Sequence, residues 1–525
     1  MLRVRLSQVP LPVLLLGMTG LAMLLPAIHA LGLREHAVAR AFLYSSLFIG
    51  GLAVFLALGT ARMGRVPNTR GLLPMLGTIY LLVPAAAALP LAEALADLRP
   101  GFRFRDAWFE MVAAFTTTGG TLLELPRALP STLHLWRATV GWAGGLFILV
   151  SALAFLAPLR LGGFELLRPP NRARARPRAT PGAIVARLNG EQQDRAQDLS
   201  RQHLHAALAL AAPWYAGATL LVWILLSAQG VTPLNALVLA MSALSTSGIL
   251  PRESLGAVGT GVELVLFAAM VLALSRGLTL PTNRSVGQPP SLLRPWLDPE
   301  LRLATTAVLA MAAIVLARHW AGAYEIAEGE DLPAIGAAAW GALFTGLSFL
   351  TTTGFVSHDW IVARSWSGLT PPGLVLMGLA LMGGGVATTA GGVKLLRILA
   401  MARLGRAEMH RMIHPSVMDN GSERDRFLAT EGARAAWLFA MVFAITAVSV
   451  VGLLILTGET LEAALVLAVA ALTTTGPLIE VAGDQPLGWA GVTDAGRLIL
   501  AAAMIMGRLE ILVILALALT QLSRD

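Results

Sequence analysis

The chain has 525 residues, 56% of them hydrophobic and 13% charged, with a formal net charge of +8 and no cysteine. A soluble chain of this length carries about 25% charged residues, so the composition excludes an ordinary soluble protein and points to a polytopic membrane protein. Without cysteine there are no disulfides, no thiol chemistry and no Cys-ligated metal, and the redox compartment cannot be read from this residue type.

Arg3 and Arg5 precede an apolar run over 11–31. The run is longer than a signal-peptide core and a second span follows at once, over 40–60, so it reads as a retained first helix. A first unit comes next: a helix near 71–92, a short helix near 105–115 with Asp106 as its N-cap, a polar run, and a helix near 135–158. The polar linker 168–201 carries Arg172, Arg174, Arg176 and Arg178 among prolines and alanines. It reads as a topogenic loop or as a contact for lipid phosphate or a partner protein.

The second unit has helices near 204–227 and 258–275, and the third near 302–320 and 373–400. Glu325, Glu328, Glu330 and Asp331 cluster ahead of the third polar run, either as a solvated loop or as an acidic mouth that concentrates cations. The second helix of the third unit contains Gly383, Gly384, Gly385, Thr388, Thr389, Gly391 and Gly392, followed by Lys394, the one lysine of the chain. Five glycines in ten residues break a helix; close helix packing is the alternative reading. Lys394 then either holds this segment, pairs with a carboxylate, or snorkels to the interface. The fourth unit has helices near 434–457 and 495–521. Its Arg508 is a charge expected to face the bundle interior or a watery cavity, or to pair with another helix; Glu510, two residues on, lies on another face.

One polar run recurs in each unit: Thr116, Thr117, Thr118, Gly119; Ser245, Thr246, Ser247, Gly248; Thr351, Thr352, Thr353, Gly354; and Thr473, Thr474, Thr475, Gly476. Four copies at similar spacing mark a fourfold internal repeat. Each follows a helix too short to cross the bilayer, whose negative dipole end favours a cation. Irregular backbone at membrane depth requires burial in protein or a water-filled cavity, and four loops around one axis meet that condition. Oxygen ligands without carboxylates suit a monovalent cation whose hydration shell is replaced by carbonyls, as in an ion-selectivity filter; a divalent site would bring Asp or Glu.

Orientation follows from Lys and Arg. With the N-terminus in the cytoplasm and each polar run re-entering from outside, the cytoplasmic segments hold 27 of the 39 Lys and Arg, and the outer segments hold 18 of the 31 Asp and Glu. Topology therefore accounts for the positive charge, and no nucleic-acid partner is implied.

These features resemble the Trk/Ktr/HKT superfamily of potassium transporters, most of all its bacterial TrkH/TrkG branch. The resemblance rests on the four runs, on residues 106–119, on Trp136-Arg137-Ala138 with Gly144-Gly145, on residues 383–397, on His414-Pro415, and on Gly507-Arg508-Leu509-Glu510. It implies an all-α polytopic membrane protein with four helix–pore-loop–helix repeats in pseudo-fourfold symmetry plus two N-terminal transmembrane helices. The corresponding divisions are an N-terminal hairpin over 1–66, repeat 1 over 67–160, a basic linker over 161–202, and repeats 2, 3 and 4 over 203–282, 283–402 and 403–525. It implies potassium (K+) uptake across the bacterial inner membrane, with K+ bound by the sixteen residues of the four runs. The glycine-rich loop then acts as an intramembrane gate with Lys394, and Arg508 as a barrier beneath the filter. It also implies a homodimer, a cytosolic nucleotide-binding regulatory ring, contact with membrane lipid, no organic cofactor and no enzymatic activity.

The second run continues as Ile249-Leu250-Pro251 and the fourth has Pro477 after its glycine; both depart from the polar continuation the family leads one to expect. The alternatives are the channel-like subunit of an ATP-driven potassium pump and a secondary transporter with two matching broken helices. A membrane enzyme would need a His, Asp or Glu constellation, and the nine histidines are scattered. No Gly-x-x-x-x-Gly-Lys-Ser/Thr motif is present, so nucleotide control falls to a partner contacting 168–201 or 403–434.

Overall fold

The computed structural model describes residues 9–60, 69–96, 98–123, 129–157, 163–166, 191–251, 259–279, 298–322, 332–367, 373–414, 432–483 and 486–509. Every regular element among them is helical, and seven helices are long and apolar enough to cross a membrane. The acidic cluster 325–331, the linker 168–190, the basic segment 415–431 and Glu510 lie outside the described residues.

The first apolar run is two helices in line, α1 (Leu11–Ala22) and α2 (Leu24–Gly32). Pro26 cannot donate to the carbonyl of Ala22, which explains the break between them. Helix α3 (His36–Thr60) returns alongside, and this hairpin docks on α4 (Thr69–Ala96). Phe42 of α3 sits edge-on to the buried Trp136, with ring centroids 5.5 Å apart.

Four units follow. The first has α4, the short helix α5 (Phe104–Phe115) and α6 (Ser131–Ser151), which continues as a π-helix over Ala152–Leu156. The second has α7 (Glu191–Ala228), the short helix α8 (Pro233–Ser245) and α9 (Thr260–Val271). The third has α10 (Pro299–Gly322), α11 (Leu332–Leu350), α12 (Trp360–Ser367), α13 (Gly373–Met382) and α14 (Leu395–Ile413). The fourth has α15 (Ala433–Leu456), the short helix α16 (Leu461–Leu472), the single turn α17 (Leu478–Ala482) and α18 (Asp494–Leu509). Helices of 12 or 13 residues such as α5, α8 and α16 reach about 18–20 Å, against a hydrocarbon core of about 30 Å, so they stop at mid-depth. The corresponding helix of the third unit, α11, has 19 residues and is longer than the sequence suggests. The expected single helix over 373–400 is α13 and α14 separated by non-helical residues 383–394, where the glycines cluster.

The packing closes a ring. Each helix that leads into a polar run packs on the second helix of the preceding unit: α8 on α6, α11 on α9, α16 on α13, and α5 on α18. The fourth unit thereby meets the first, giving the pseudo-fourfold arrangement of a pore-type fold.

Close approach within the ring needs missing side chains. A Cβ on Gly144 of α6 would run into the carbonyl of Phe115 at the end of α5, and one on Gly507 of α18 into the carbonyl of Leu472 at the end of α16. These are equivalent contacts in the first and fourth units, each against the residue just before the polar run. Overpacking of a tight contact costs about 1–3 kcal/mol. Gly144→Val should therefore lower the thermal unfolding midpoint of the detergent-purified protein, whereas valine at Gly217, which has open space around it, should leave the midpoint near wild type.

Candidate functional site

The polar runs form loops 1 to 4 (residues 116–119, 245–248, 351–354 and 473–476), and their local structure follows from the helix ends that carry them. A helix terminus leaves its last carbonyls without partners. In loop 1 the amides of Thr116, Thr117, Thr118 and Gly119 donate back to the carbonyls of Val112, Ala114, Ala113 and Ala113, at 2.8–3.0 Å. Loop 3 repeats this, with Thr351, Thr352, Thr353 and Gly354 returning to Leu347, Phe349, Ser348 and Ser348. To turn back this tightly the second residue of every loop is left-handed: Thr117, Thr246, Thr352 and Thr474 have φ of 56°, 53°, 58° and 55°. A left-handed conformation is costly for a threonine, and its fourfold repetition shows that the surroundings impose it.

The hydroxyls divide by position. The first and third of each loop bond one another, at 2.9 Å for Thr116–Thr118 and Ser245–Ser247, 3.0 Å for Thr351–Thr353 and 3.2 Å for Thr473–Thr475. In the threonine loops the first hydroxyl also donates to the carbonyl four residues back. These two positions brace the loop against its own helix. With most amides and hydroxyls turned back, carbonyls of loops 1, 2 and 3 face the neighbouring loops. A Cβ on Gly119 would meet the carbonyl of Ser247, one on Gly248 that of Thr353, and one on Gly476 that of Thr118. The loops therefore stand around one axis in the order 1, 2, 3, 4, buried except at Gly119, which is partly exposed.

The second-position side chains of loops 3 and 4 meet the glycine-rich segment. Its neck is closed by backbone bonds from Val393 to Leu381, Lys394 to Met382 and Leu395 to Gly384, each 3.0 Å. Its first half is held by Gly385 N–H on Ala273 O, 3.1 Å, and by Val386 N–H on the buried carboxylate of Glu300, 2.9 Å. Its tip reaches all four loops. Gly391 N–H donates to Thr352 Oγ1, 2.7 Å, and Thr389 Oγ1 donates to the carbonyl of Leu244 just before loop 2, 3.0 Å. Gly391 packs on Thr473 and Thr474 of loop 4. Arg508 bridges to loop 1, donating from Nη2 both to Thr117 Oγ1 and to Thr389 O, the latter at 2.5 Å. Lys394 is buried, and its ammonium turns back onto Ala390 O inside the loop instead of reaching the interface. Thr388 Oγ1 closes a turn on Gly385 O, 2.8 Å. A cavity lined by Ala387, Thr388, Gly391, Lys394, Phe443 and Arg508 lies below.

The sequence pattern assigns no role to several supporting residues. Glu110 of α5 accepts from Leu122 N–H, 2.9 Å, and pairs with Arg137 of α6, 2.6 Å, both side chains buried. Glu263 of α9 accepts from Trp340 Nε1, Ser357 Oγ and His358 N–H, at 2.7–2.8 Å, and so fixes the exit of loop 3 to the second unit. Asp106 corrects the sequence reading. The N-cap of α5 is Arg103; Asp106 sits three residues in, accepts from Arg103 N–H, 2.9 Å, and pairs with Arg497 of α18, 2.8 Å. It thus helps join the fourth unit to the first.

A family model described as a cation transport protein, TrkH, matches residues 325–525. The chain is 27% identical over 500 residues to the Trk system potassium uptake protein TrkH of Salmonella typhimurium, covering 94% of each, and 26% identical over 517 residues to the TrkH of Vibrio parahaemolyticus, covering 96% of each. It is 25% identical over 522 residues to the Trk system potassium uptake protein TrkG of Escherichia coli, covering 95% of this chain and 94% of the other. The crystal structure of the potassium transporter TrkH from Vibrio parahaemolyticus superimposes with a TM-score of 0.74 at 23% identity, covering 97% of this chain and 98% of the other. Over nearly its whole length the chain is thus similar to Trk system potassium uptake proteins of the TrkH and TrkG kind. Its all-α, multi-pass membrane fold is that of the solved TrkH, and the proteins it is similar to are transporters rather than enzymes.

Removing one partner of a buried ion pair costs about 3–5 kcal/mol. Glu110→Ala should accordingly destabilise the purified protein strongly, and Glu110→Leu combined with Arg137→Met should recover much of the loss, as read by thermal unfolding in detergent.

Proposed function

We propose that this protein carries potassium into the cell through a pore whose selective section is ringed by loops 1 to 4. One observation carries the reading: four helix ends stand in cyclic order around one axis, each folding amides of its loop back onto its own carbonyls, with carbonyls of loops 1, 2 and 3 turned toward the neighbouring loops. Carbonyl rings of this kind replace the hydration shell of a monovalent cation. The names of the relatives, potassium uptake proteins, agree with it. K+ is the transported ion and the ligands come from Thr116 to Gly119, Ser245 to Gly248, Thr351 to Gly354 and Thr473 to Gly476. The glycine-rich loop with Gly383, Gly384, Gly385, Thr388, Thr389, Gly391, Gly392 and Lys394 closes the pore beneath these ligands, and Arg508 adds a positive barrier there.

In this reading the protein sits in the bacterial inner membrane with its N-terminus in the cytoplasm, as the Lys and Arg distribution suggests. It works as a homodimer under a cytosolic nucleotide-binding ring that contacts the basic segments over 168–201 and 403–434.

Ion flux into liposomes tests the proposal. The wild type should pass K+ and Rb+ in preference to Na+. Gly354 has φ of 84° and stands against Pro477, so Gly354→Ser should abolish flux or its selectivity; retained selectivity would refute the assignment of the loops. Arg508→Ala removes the bonds to Thr117 and Thr389 and should raise K+ flux, whereas an inert variant would make Arg508 a structural brace.

A further inference from the structure

Loop 4 departs from the other three at its glycine. Gly119, Gly248 and Gly354 have φ of 73°, 66° and 84°, while Gly476 is outside the left-handed region. The cause is the next residue. A proline clashes with the backbone before it and drives that residue toward extended conformations, and Gly476 precedes Pro477, whose own φ and ψ are −64° and −9°.

The consequences run through one layer of the ring, the carbonyls of the third loop residues. Gly119 and Gly354 fold their amides back onto Ala113 and Ser348, but Gly476 N–H points across to loop 1 and donates to Thr118 O, 2.6 Å. The chain then turns sharply into α17, and Leu478 N–H donates to Thr475 O, 3.1 Å. Two of the four third-position carbonyls, Thr118 O and Thr475 O, thus hold backbone amides. The other two, Ser247 O and Thr353 O, face the glycines of loops 1 and 2 and accept no hydrogen bond among the described residues. The Pro477 ring lies against both Gly248 and Gly354, so at loop 3 an apolar surface stands where the repeat would bring the loop 4 carbonyl.

We propose that the Gly476-Pro477 turn is a specificity-determining element of this pore, making its third carbonyl layer two-sided and weakening discrimination against Na+. The proposal rests on the pore reading of loops 1 to 4. Selectivity for K+ depends on the number and field of the carbonyl dipoles around the ion. With loops 1 and 4 committed to amides, water completes the shell on that side, and a partly hydrated Na+ is tolerated there. Freeing Gly476 to adopt the conformation of its three counterparts returns Thr118 O to the layer.

Flux of K+ and Na+ into liposomes should be compared for the wild type, Pro477→Gly, Pro477→Ala and Gly354→Ser. Releasing one carbonyl, at the usual net strength of a hydrogen bond, corresponds to about a fivefold change in relative permeability. Pro477→Gly should raise the K+ to Na+ flux ratio by about that factor, and Pro477→Ala by less, since alanine lifts the proline restriction but keeps a side chain. For a variant that folds without transporting, the stabilisation of the purified protein by K+ relative to Na+ in thermal unfolding should move in the same direction. An unchanged or lower ratio in both Pro477 variants, with selectivity lost in Gly354→Ser, overturns the role of Pro477 and leaves the pore reading intact. An unchanged ratio in Gly354→Ser as well overturns the pore reading itself.

Discussion

Everything in this structure depends on how backbone amides are satisfied at the middle of a membrane. Hydrocarbon offers nothing to take them, and an orphaned amide costs several kcal/mol. The four helices that lead into the loops meet most of the demand from their own ends, returning amides of the following residues to carbonyls that a helix terminus leaves open, while the amide of Gly476 is met by Thr118 O of loop 1. The sequence requirements follow. The helix must stop at mid-depth, its second following residue must accept a left-handed conformation, and its first and third must carry hydroxyls that bond one another across the turn. Threonine and serine meet the last requirement and bring no formal charge into the site. Carbonyl edges are left facing the axis because the amides and hydroxyls are already committed.

Holding four such ends together requires very close packing, and the scaffold supplies it unequally. The first unit uses a buried ion pair, with Glu110 serving both Arg137 and Leu122 N–H. The third has Thr345 in the equivalent place, twelve residues before the amide it holds, that of Ser357, and obtains its carboxylate from Glu263 of its neighbour. A buried carboxylate is tolerated only where it is paired or hydrogen-bonded, and both of these are. Asp106 and Arg497 close the seam between the first and fourth units. The ring is therefore fastened by polar contacts between consecutive units as well as by apolar packing.

The sequence reveals the architecture well because architecture is written in repetition. Four polar runs, their apolar flanks and the Lys and Arg bias suffice to reach four units and two extra helices. The break at residues 383–394 is legible from glycine density alone. What the pattern cannot reveal is pairing across long separations. Asp106 has the chemistry of an N-cap, and nothing local indicates that Arg103 holds that position or that Asp106 pairs with a residue 391 positions away. Glu300 looks like an ordinary acidic first-turn residue, yet it holds the amide of Val386. Lys394 leaves three readings open, and only the fold selects the inward one. Pro477 is visible as a departure, but its effect on Thr118 in another unit requires knowing that loops 4 and 1 are neighbours.

The same closeness that orders the loops ties them to the segment beneath. The tip of the glycine-rich loop borrows Thr352 Oγ1 from loop 3 and the carbonyl before loop 2, and through Arg508 it also holds Thr117 of loop 1. Thr474 Oγ1 of loop 4 is buried against it with no hydrogen-bond partner among the described residues. Displacing the tip would take the donors from Thr352 Oγ1 and the carbonyl of Leu244 at once, and a buried polar group left without a partner is costly. In a pore, a cation arriving from above and backed by water would satisfy those oxygens. Under the proposed pore function the tip leaves cheaply only when something replaces it, and occupancy above and closure below would draw on the same oxygens. The asymmetry of loop 4 bears on this balance, since the quarter that commits its third-position carbonyl to a turn is also the quarter whose second-position hydroxyl the tip leaves unmatched.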